Sequence, residues 1–198
     1  MTTKIEQPYP NAYLEIDRST IASGFEMASD VLTCSLLRTL ASAKPSGKFL
    51  ELGTGTGLST SWILDGMDSS STLISIDNNS FHQSIAQDHL SGDRRLSLVN
   101  QDGGDWIAGN VHLKFDYIFA DTWHGKYLLL DETLPMLNEG ALYIIDDMLP
   151  QSNWPDGHAD KVSNLINYIE RRSDLMITKQ KWATGIIIAV KKVAPTNS

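Results

Sequence analysis

Short apolar runs alternate with longer segments of helical periodicity along most of the chain. Seven of these runs are rich in β-branched and aromatic residues and have the length of buried strands. They span residues 48–53, 71–77, 95–101, 115–121, 140–146, 174–181 and 185–192. Because helical segments separate most of the runs, the strands should lie parallel, with helices on both faces of the sheet. The pattern predicts an α/β fold with a seven-stranded, mostly parallel sheet.

The last two predicted strands are too close together for a helix to connect them. Only Trp182, Ala183 and Thr184 lie between the two runs, so these strands should form a C-terminal antiparallel hairpin. Helical stripes are predicted at Phe25, Ala28, Leu32, Leu36 and Leu40, at Tyr127, Leu130, Leu134 and Leu137, and at Val162, Leu165, Ile166 and Ile169. We expect one compact domain, with residues 1–47 forming an N-terminal arm and covering helix and residues 48–198 forming the core.

Composition narrows the classes of function. A chain of 198 residues can fill one core, and its net charge of −8 opposes binding to a phosphate backbone, so no nucleic-acid partner is expected. No apolar run approaches the ~18 residues that span a bilayer, and the polar start of the chain lacks the apolar core of a signal peptide. We expect a cytoplasmic protein without membrane contact. The single cysteine, Cys34, should be a small buried apolar residue.

Glycines at every second position follow the first predicted strand. Glycine lacks a Cβ, so Gly53, Gly55 and Gly57 let the backbone turn tightly and approach a ligand at the start of the next helix. A dinucleotide-binding loop would carry its third glycine three residues after the second, where this chain has Leu58. The antiparallel hairpin also differs from the all-parallel dinucleotide-binding sheet. A nicotinamide oxidoreductase is therefore the disfavoured alternative.

The spacing from Glu51 to Gly57 resembles motif I of the class I S-adenosylmethionine-dependent methyltransferases, whose fold is Rossmann-like. By this resemblance, Gly53, Thr54, Gly55 and Gly57 would hold the methyl donor. Glu51 would orient the loop or bind the methionine ammonium, directly or through water. A strand-edge carboxylate exposed to water is the alternative for Glu51. The resemblance implies S-adenosylmethionine as the cofactor.

Carboxylates follow the second to fifth predicted strands, at the sheet edge where ligands bind in open α/β folds. Asp77 lies 24 residues after Gly53 and could accept both ribose hydroxyls of a nucleoside cofactor. Asp102 could reach the adenine amino group, unless Gly103 or Gly104 offers backbone contacts instead. Each aspartate could alternatively cap the helix that follows it.

Residues 116–127 and 140–147 are similar to the catechol and caffeoyl-CoA type of O-methyltransferases, and this resemblance covers most of residues 20–192. It implies that Asp121, Asp146 and Asp147 bind Mg²⁺ or a similar cation beside the cofactor, and that Trp123 borders the adenine. Such an ion would chelate two neighbouring hydroxyls and align one of them on the sulfonium methyl. Asp147 departs from the pattern, because the family has asparagine there.

A second departure concerns the base. His124 stands where the catechol enzymes have lysine, and Lys126 is a nearby substitute, so either residue is a candidate. The loop at residues 148–157 is a candidate pocket wall, and Trp154 and Trp182 could provide aromatic surfaces or simply pack.

The sequence predicts an O-methyltransferase that acts on a hydroxyl of a small aromatic or vicinal-diol acceptor with the help of a divalent cation. The alternatives are a metal-independent enzyme that uses His124 or Lys126 as base, and a non-catalytic protein that binds S-adenosylmethionine. Because related enzymes are often dimers, a homodimer is also an expectation.

Overall fold

A single mixed sheet forms the centre of the protein. The computed structural model describes residues 8–151 and 154–194. The strands are β1 (Lys48–Leu52), β2 (Thr72–Asp77), β3 (Leu96–Asn100), β4 (Phe115–Ala120), β5 (Leu137–Ile145), β6 (Leu175–Gln180) and β7 (Ile186–Lys191). Their order across the sheet is β3-β2-β1-β4-β5-β7-β6. The first five strands are parallel, whereas β7 runs antiparallel to both β5 and β6, so the predicted α/β fold and terminal hairpin are confirmed.

Seven α-helices surround the described sheet. They are α1 (Tyr13–Ser23), α2 (Val31–Ser42), α3 (Leu58–Gly66), α4 (Ser80–Leu90), α5 (Gly103–Asn110), α6 (Leu130–Thr133) and α7 (His158–Glu170), and a 3₁₀ turn spans Leu134–Met136. None of the described helices is long and apolar enough to cross a membrane. The predicted stripe of α7 is confirmed. The first seven residues of the predicted N-terminal arm lie outside the described residues.

The N-terminal region contains two helices where the sequence analysis placed one. Helix α1 was not predicted, and it ends at Gly24, whose φ of 71° is a left-handed conformation. Helix α2 begins only at Val31, because the side chain of Asp30 accepts a hydrogen bond from the Leu32 amide and caps it. Phe25 and Ala28, which were assigned to the helix, therefore lie in the loop before it.

The predicted stripe from Tyr127 to Leu137 is broken into short pieces. Leu129 has a left-handed φ of 55°, α6 has four residues, and Pro135 lies in the 3₁₀ turn. Leu137 already belongs to β5, so this strand begins three residues before the predicted position of 140. Apolar spacing alone could not distinguish this irregular segment from a helix, because its side chains are buried at similar intervals.

Both faces of the sheet are buried, as the strand sequences predict for parallel strands. Phe49 and Tyr117 point to the face covered by α1 to α4, while their neighbours Leu50 and Ile118 point to the opposite face. All four side chains are fully buried. Because helices cover the two faces, the carboxyl ends of the parallel strands remain as the edge at which cavities can form.

The packing of α2 on α3 predicts the effect of a single methyl group. A Cβ added at Gly66 would lie 2.1 Å from the backbone oxygen of Arg38. We expect Gly66→Ala to reduce the free energy of unfolding by about 1–3 kcal/mol through overpacking, measured by urea denaturation.

Gly109→Ala is the matched control. No atom lies within 4 Å of a Cβ added at this helical position, so the change should be neutral or stabilise the protein by about 0.5–1 kcal/mol. Equal effects of the two substitutions would contradict the proposed contact between α2 and α3.

Candidate functional site

The glycine loop between β1 and α3 adopts a backbone that favours glycine at each of its three glycines. Gly53, Gly55 and Gly57 have φ angles of 107°, 52° and 93°. A Cβ at Gly53 would lie 3.0 Å from the backbone oxygen of Asp121, and one at Gly57 would lie 2.7 Å from the Cβ of Ala86. The loop therefore packs directly against the end of β4 and against α4.

Glu51 lies beneath this loop and is completely buried. Its carboxylate accepts hydrogen bonds from Ser59 Oγ at 2.7 Å, Thr60 Oγ1 at 2.5 Å and Ser75 Oγ at 2.6 Å. Burial raises the pKa of Glu51 to about 7, although the three hydroxyls oppose this shift. The alternative of a strand-edge carboxylate exposed to water is wrong. The contacts support the predicted role in orienting the loop, because these hydroxyls already engage both carboxylate oxygens.

The Thr54 hydroxyl joins the same network. Thr54 Oγ1 lies 2.7 Å from Ser75 Oγ, and Gln83 Nε2 donates to it at 3.2 Å. A continuous chain of hydrogen bonds thus runs from Gln83 on α4 through Thr54 and Ser75 to Glu51. Thr54 was predicted to bind the cofactor, but its side chain is directed into the protein, so only its backbone remains available to a ligand.

A first cavity of about 380 Å³ lies above the glycine loop. Of the residues predicted to bind the cofactor, Gly53, Thr54, Gly55, Asp77, Asp121 and Trp123 line it, whereas Glu51, Gly57 and Asp102 do not. Phe25 and His82 complete one wall, with their ring centroids 4.5 Å apart. The structure therefore brings most of the predicted set together around one space.

Asp77 and Asp102 have different surroundings. Asp77 Oδ2 accepts a hydrogen bond from the Gly55 amide at 2.7 Å, which fixes the carboxylate at the cavity wall. Asp102 Oδ1 instead accepts from the amides of Gly104 and Asp105 and caps α5. Capping of the following helix is the alternative that the sequence left open for Asp102. Gly103 rather than Asp102 lines the cavity.

The two candidate bases face different cavities. The turn between them contains Gly125, with a φ of 80°, and the Gly125 amide donates to the oxygen of Leu128 at 2.8 Å. His124 lies against Gly103 and Gly104 and lines the first cavity, with Nε2 3.8 Å from Asp102 Oδ1. Lys126 is buried and lines a second cavity. Of the two, only Lys126 reaches the carboxylates after β5.

The second cavity, of about 320 Å³, shares residues 27–29 and 121–123 with the first. Its aromatic side is formed by Trp123, Tyr127, Trp154 and His158. The rings of Trp154 and His158 have centroids 4.6 Å apart, and burial lowers the pKa of His158. Trp182 lies outside both cavities and is 42% exposed, so Trp154 alone of the two predicted tryptophans forms a wall.

Three residues contact the candidate site without being among the site residues predicted from the sequence. Ser29 Oγ donates to Asp121 Oδ2 at 3.0 Å, the Thr184 hydroxyl donates to Asp146 Oδ1, and His158 Nε2 lies 3.2 Å from the Tyr127 hydroxyl. Ser29 and Thr184 lie far from their partners along the chain and belong to no motif. Only His158, which follows the predicted pocket loop, offered a positional signal.

Asp121, Asp146 and Asp147 lie near one another around the ammonium of Lys126. Nζ lies 3.7 Å from both Asp121 Oδ1 and Asp147 Oδ2 and donates to the backbone oxygen of Asp146 at 3.0 Å. Burial raises the pKa of Asp121 well above its usual value and outweighs the opposing charge of Lys126. Burial also raises the pKa of Asp146 to about 6, with a further contribution from the charge of Asp147.

This arrangement does not fit the predicted Mg²⁺ site. Magnesium requires oxygen ligands at ~2.0–2.1 Å in octahedral geometry. Among residues 8–151 and 154–194, no three His, Cys, Asp or Glu side chains converge as a metal site requires. The Lys126 ammonium lies between the carboxylates of Asp121 and Asp147 and would repel a cation there. Cation binding by Asp121, Asp146 and Asp147 is therefore not shown by the described residues and stays a prediction.

A glycine loop after β1, an aspartate at the end of β2 and a sheet that ends in an antiparallel hairpin together define the class I methyltransferase fold. Residues 50–148, half of the chain, match the family model described as "Methyltransferase domain". The chain belongs to this family, so the family resemblance seen in motif I is confirmed.

Individual relatives agree with this assignment. A protein from Mycobacterium sp. (strain KMS), whose name provisionally describes it as an O-methyltransferase, is 31% identical over 91 residues. The match covers 44% of this chain and 41% of that relative, so the alignment spans less than half of either protein.

Solved structures extend the likeness in fold over nearly the whole chain. An O-methyltransferase from Bacillus cereus in complex with SAH has a TM-score of 0.80 at 18% identity, covering 96% of this chain and 94% of that one. The O-methyltransferase TomG from Streptomyces achromogenes in complex with SAM has a TM-score of 0.79 at 18% identity, covering 97% and 93%. At such identities the comparison shows the fold alone.

The buried carboxyl of Glu51 predicts a specific pH dependence of stability. Its pKa in the folded protein is raised from 4.5 to about 7, so folding is favoured by protonation, and this contribution is lost as the pH rises from about 4.5 to about 7. Between these pH values, the free energy of unfolding of the unmodified protein should fall by about 3 kcal/mol because Glu51 ionises. The Glu51→Gln variant has no titrating group at this position, so it should not show this part of the fall.

Urea denaturation at several pH values would measure the difference, with Glu132→Gln at an exposed position as control. The control should follow the unmodified protein. If Glu51→Gln also follows it, Glu51 is not the source of the pH dependence.

Proposed function

We propose that this protein transfers a methyl group from S-adenosylmethionine to a hydroxyl of a small aromatic acceptor. The observation that carries the proposal is the pair of adjoining cavities, which share Asp121, Thr122 and Trp123. One cavity has the glycine cradle expected of a nucleoside cofactor, and the other has aromatic walls and charged groups. A donor and an acceptor bound in these two spaces would meet at the shared wall.

The lining of the first cavity supports S-adenosylmethionine as its proposed ligand. Gly53 and Gly55 bring backbone without Cβ atoms to the cavity wall, and a Cβ at Gly55 would lie 3.1 Å from the ring of Phe25. Asp77, held at the cavity wall by the Gly55 amide, is the proposed ligand of the ribose hydroxyls. The proposed adenine contacts are Trp123 and Gly103, while Asp102 acts through its cap on α5. The relatives solved with SAM and SAH have the same fold.

The second cavity fits a planar acceptor. Trp123, Tyr127, Trp154 and His158 present ring faces and edges to it, which favours an aromatic molecule over an aliphatic one. The carboxylate of Asp147 and the ammonium of Lys126 lie on the same cavity wall and would face the acceptor's hydroxyl. The vicinal diol and the divalent cation implied by the catechol-type resemblance gain no support from this arrangement, because Lys126 lies among the carboxylates.

The reaction needs no redox partner. The acceptor oxygen forms a bond to the sulfonium methyl while the carbon–sulfur bond breaks, and its electron pair remains on sulfur. The products are S-adenosylhomocysteine, the methyl ether and the acceptor's proton, which is released to water. Of the two predicted bases, Lys126 lines the acceptor cavity, whereas His124 faces the donor cavity. As an ammonium, Lys126 has no electron pair to take the proton, and its proposed role is to stabilise the negative charge that develops on the acceptor oxygen.

Turnover tests the proposal against a non-catalytic cofactor-binding protein. The purified protein, S-adenosylmethionine and a panel of phenols, catechols and aliphatic polyols would be incubated, and S-adenosylhomocysteine would be quantified. We expect product with phenolic compounds and little with aliphatic polyols. Binding of S-adenosylmethionine without any product across the panel would favour the non-catalytic alternative. Binding of NAD in preference to S-adenosylmethionine would favour an oxidoreductase.

Two tryptophan variants test the acceptor cavity. Trp154→Ala removes an aromatic wall and should raise the KM for the acceptor about tenfold, equivalent to about 1.4 kcal/mol, without weakening S-adenosylmethionine binding. Trp182→Ala removes a partly exposed ring outside both cavities and should leave both constants unchanged. Steady-state kinetics and calorimetry would measure them. Equal effects of the two changes would place the acceptor elsewhere.

The homodimer and the cytoplasmic location remain predictions. So does the expectation that neither nucleic acid nor membrane is a partner, since it depends on the net charge and apolar pattern of the sequence. Light scattering of the purified protein would measure its oligomeric state.

A further inference from the structure

Lys126 is a lysine in unusual surroundings. Its side chain is 4% exposed, although lysine side chains are rarely buried unless they are paired. The ammonium lies 3.7 Å from one oxygen each of Asp121 and Asp147 and donates to the backbone oxygen of Asp146. These are the three residues that the catechol-type resemblance assigns to a divalent cation.

We propose that the Lys126 ammonium takes the place of this cation, so that the enzyme works without a metal and accepts a molecule with a single hydroxyl. The inference rests on the function proposed above for the identity of the reaction. Its claim about the metal, however, concerns only the side chains around Lys126 and can be tested without turnover.

Several contacts hold the backbone on either side of Lys126. Within the turn, the amides of Tyr127 and Leu128 donate to the oxygen of Trp123 at 2.9 and 3.0 Å. The Tyr143 hydroxyl on β5 donates to the oxygen of Gly125. A Cβ at Gly125 would lie 2.7 Å from Leu52 on β1, so the turn packs closely on the sheet. The backbone of Lys126 is therefore held in place close to the carboxylates.

A divalent ion and the Lys126 ammonium would compete for the same carboxylates. Asp146 Oδ1 is already occupied by the Thr184 hydroxyl and the Asp147 amide, and Asp121 Oδ2 accepts from Ser29. The remaining oxygens near a cation position, Asp121 Oδ1 and Asp147 Oδ2, lie 3.7 Å from the ammonium, so an entering cation would have to move the ammonium away. A displaced ammonium would then lie buried without its carboxylate partners, which is strongly unfavourable.

An ammonium in place of the divalent cation changes which acceptors the site can bind. A hard cation with open coordination positions chelates two neighbouring hydroxyls, so it selects vicinal diols. An ammonium has three N–H groups, one of which is bound to Asp146. Because Lys126 also lines the acceptor cavity, a remaining N–H group can hold one acceptor oxygen. A single phenolic hydroxyl is then sufficient, and a second hydroxyl gives no advantage.

Binding of Mn²⁺, followed by electron paramagnetic resonance, tests the claim directly. The unmodified protein should bind no Mn²⁺ at this site. Lys126→Met removes the ammonium but keeps a similar side-chain length, and it should gain a Mn²⁺ site that is lost again when Asp121→Asn is added. Lys161→Met is the matched control, because the Lys161 ammonium lies over the ring of Trp123, 4.0 Å from its centroid, rather than in the ion pairs with Asp121 and Asp147 that Lys126 makes.

Activity provides an independent measurement. The unmodified protein should retain full turnover in EDTA and methylate a monophenol and the matching catechol with similar kcat/KM. Lys126→Met should lose activity in EDTA and recover part of it with Mn²⁺, a rescue that a purely structural role would not produce.

Several results would overturn the inference. Tight Mn²⁺ binding by the unmodified protein, loss of its activity in EDTA with recovery in Mg²⁺, or a folded Lys126→Met variant without a new Mn²⁺ site would each do so. If Lys126→Met fails to fold, the Mn²⁺ measurement on the unmodified protein decides alone. Absence of all turnover would instead contradict the proposed function, while the Mn²⁺ result would still stand.

Discussion

The hydrogen bonds to the buried carboxyl of Glu51 are the interaction on which the site depends. They join β1, which carries Glu51, to the first turn of α3 through Ser59 and Thr60, and to β2 through Ser75. The glycine loop connects β1 to α3, so these hydrogen bonds hold both ends of the loop in place. A buried carboxyl with hydrogen bonds to both oxygens is held firmly, because losing these bonds in the protein interior is costly.

Fixing the loop also fixes the end of β4. Gly53 lies so close to the backbone oxygen of Asp121 that a Cβ would approach it to 3.0 Å. Asp121 in turn belongs to both cavities and contacts Ser29 and Lys126. The two cavities are thus linked through residues 121–123, together with residues 27–29, which also line both. This is how a loop that only holds a cofactor can control the distance between two reactants.

Patterns that depend on local spacing were predictable from the sequence, and long-range contacts were not. The strands and the hairpin follow from apolar runs, and the glycine loop follows from its spacing. The sequence could not show that Glu51 would face α3, nor that Asp102 would cap α5, because both outcomes depend on where other elements pack. Helix α1 was missed because its apolar stripe is weak, with Leu14 and Ile21 exposed. Ser29 and Thr184 reach the carboxylates only through the folding of distant segments.

The difference between His124 and Lys126 shows how two positions in a turn can decide the chemistry of a site. The resemblance places the family's lysine at position 124, which in this chain faces α5 and the donor cavity. A lysine two residues later lies beyond Gly125, whose backbone is left-handed. From there its ammonium reaches Asp121 and Asp147 rather than the start of α5. A shift of two residues therefore moves a positive charge into the position of the predicted cation, and the choice of acceptor changes with it.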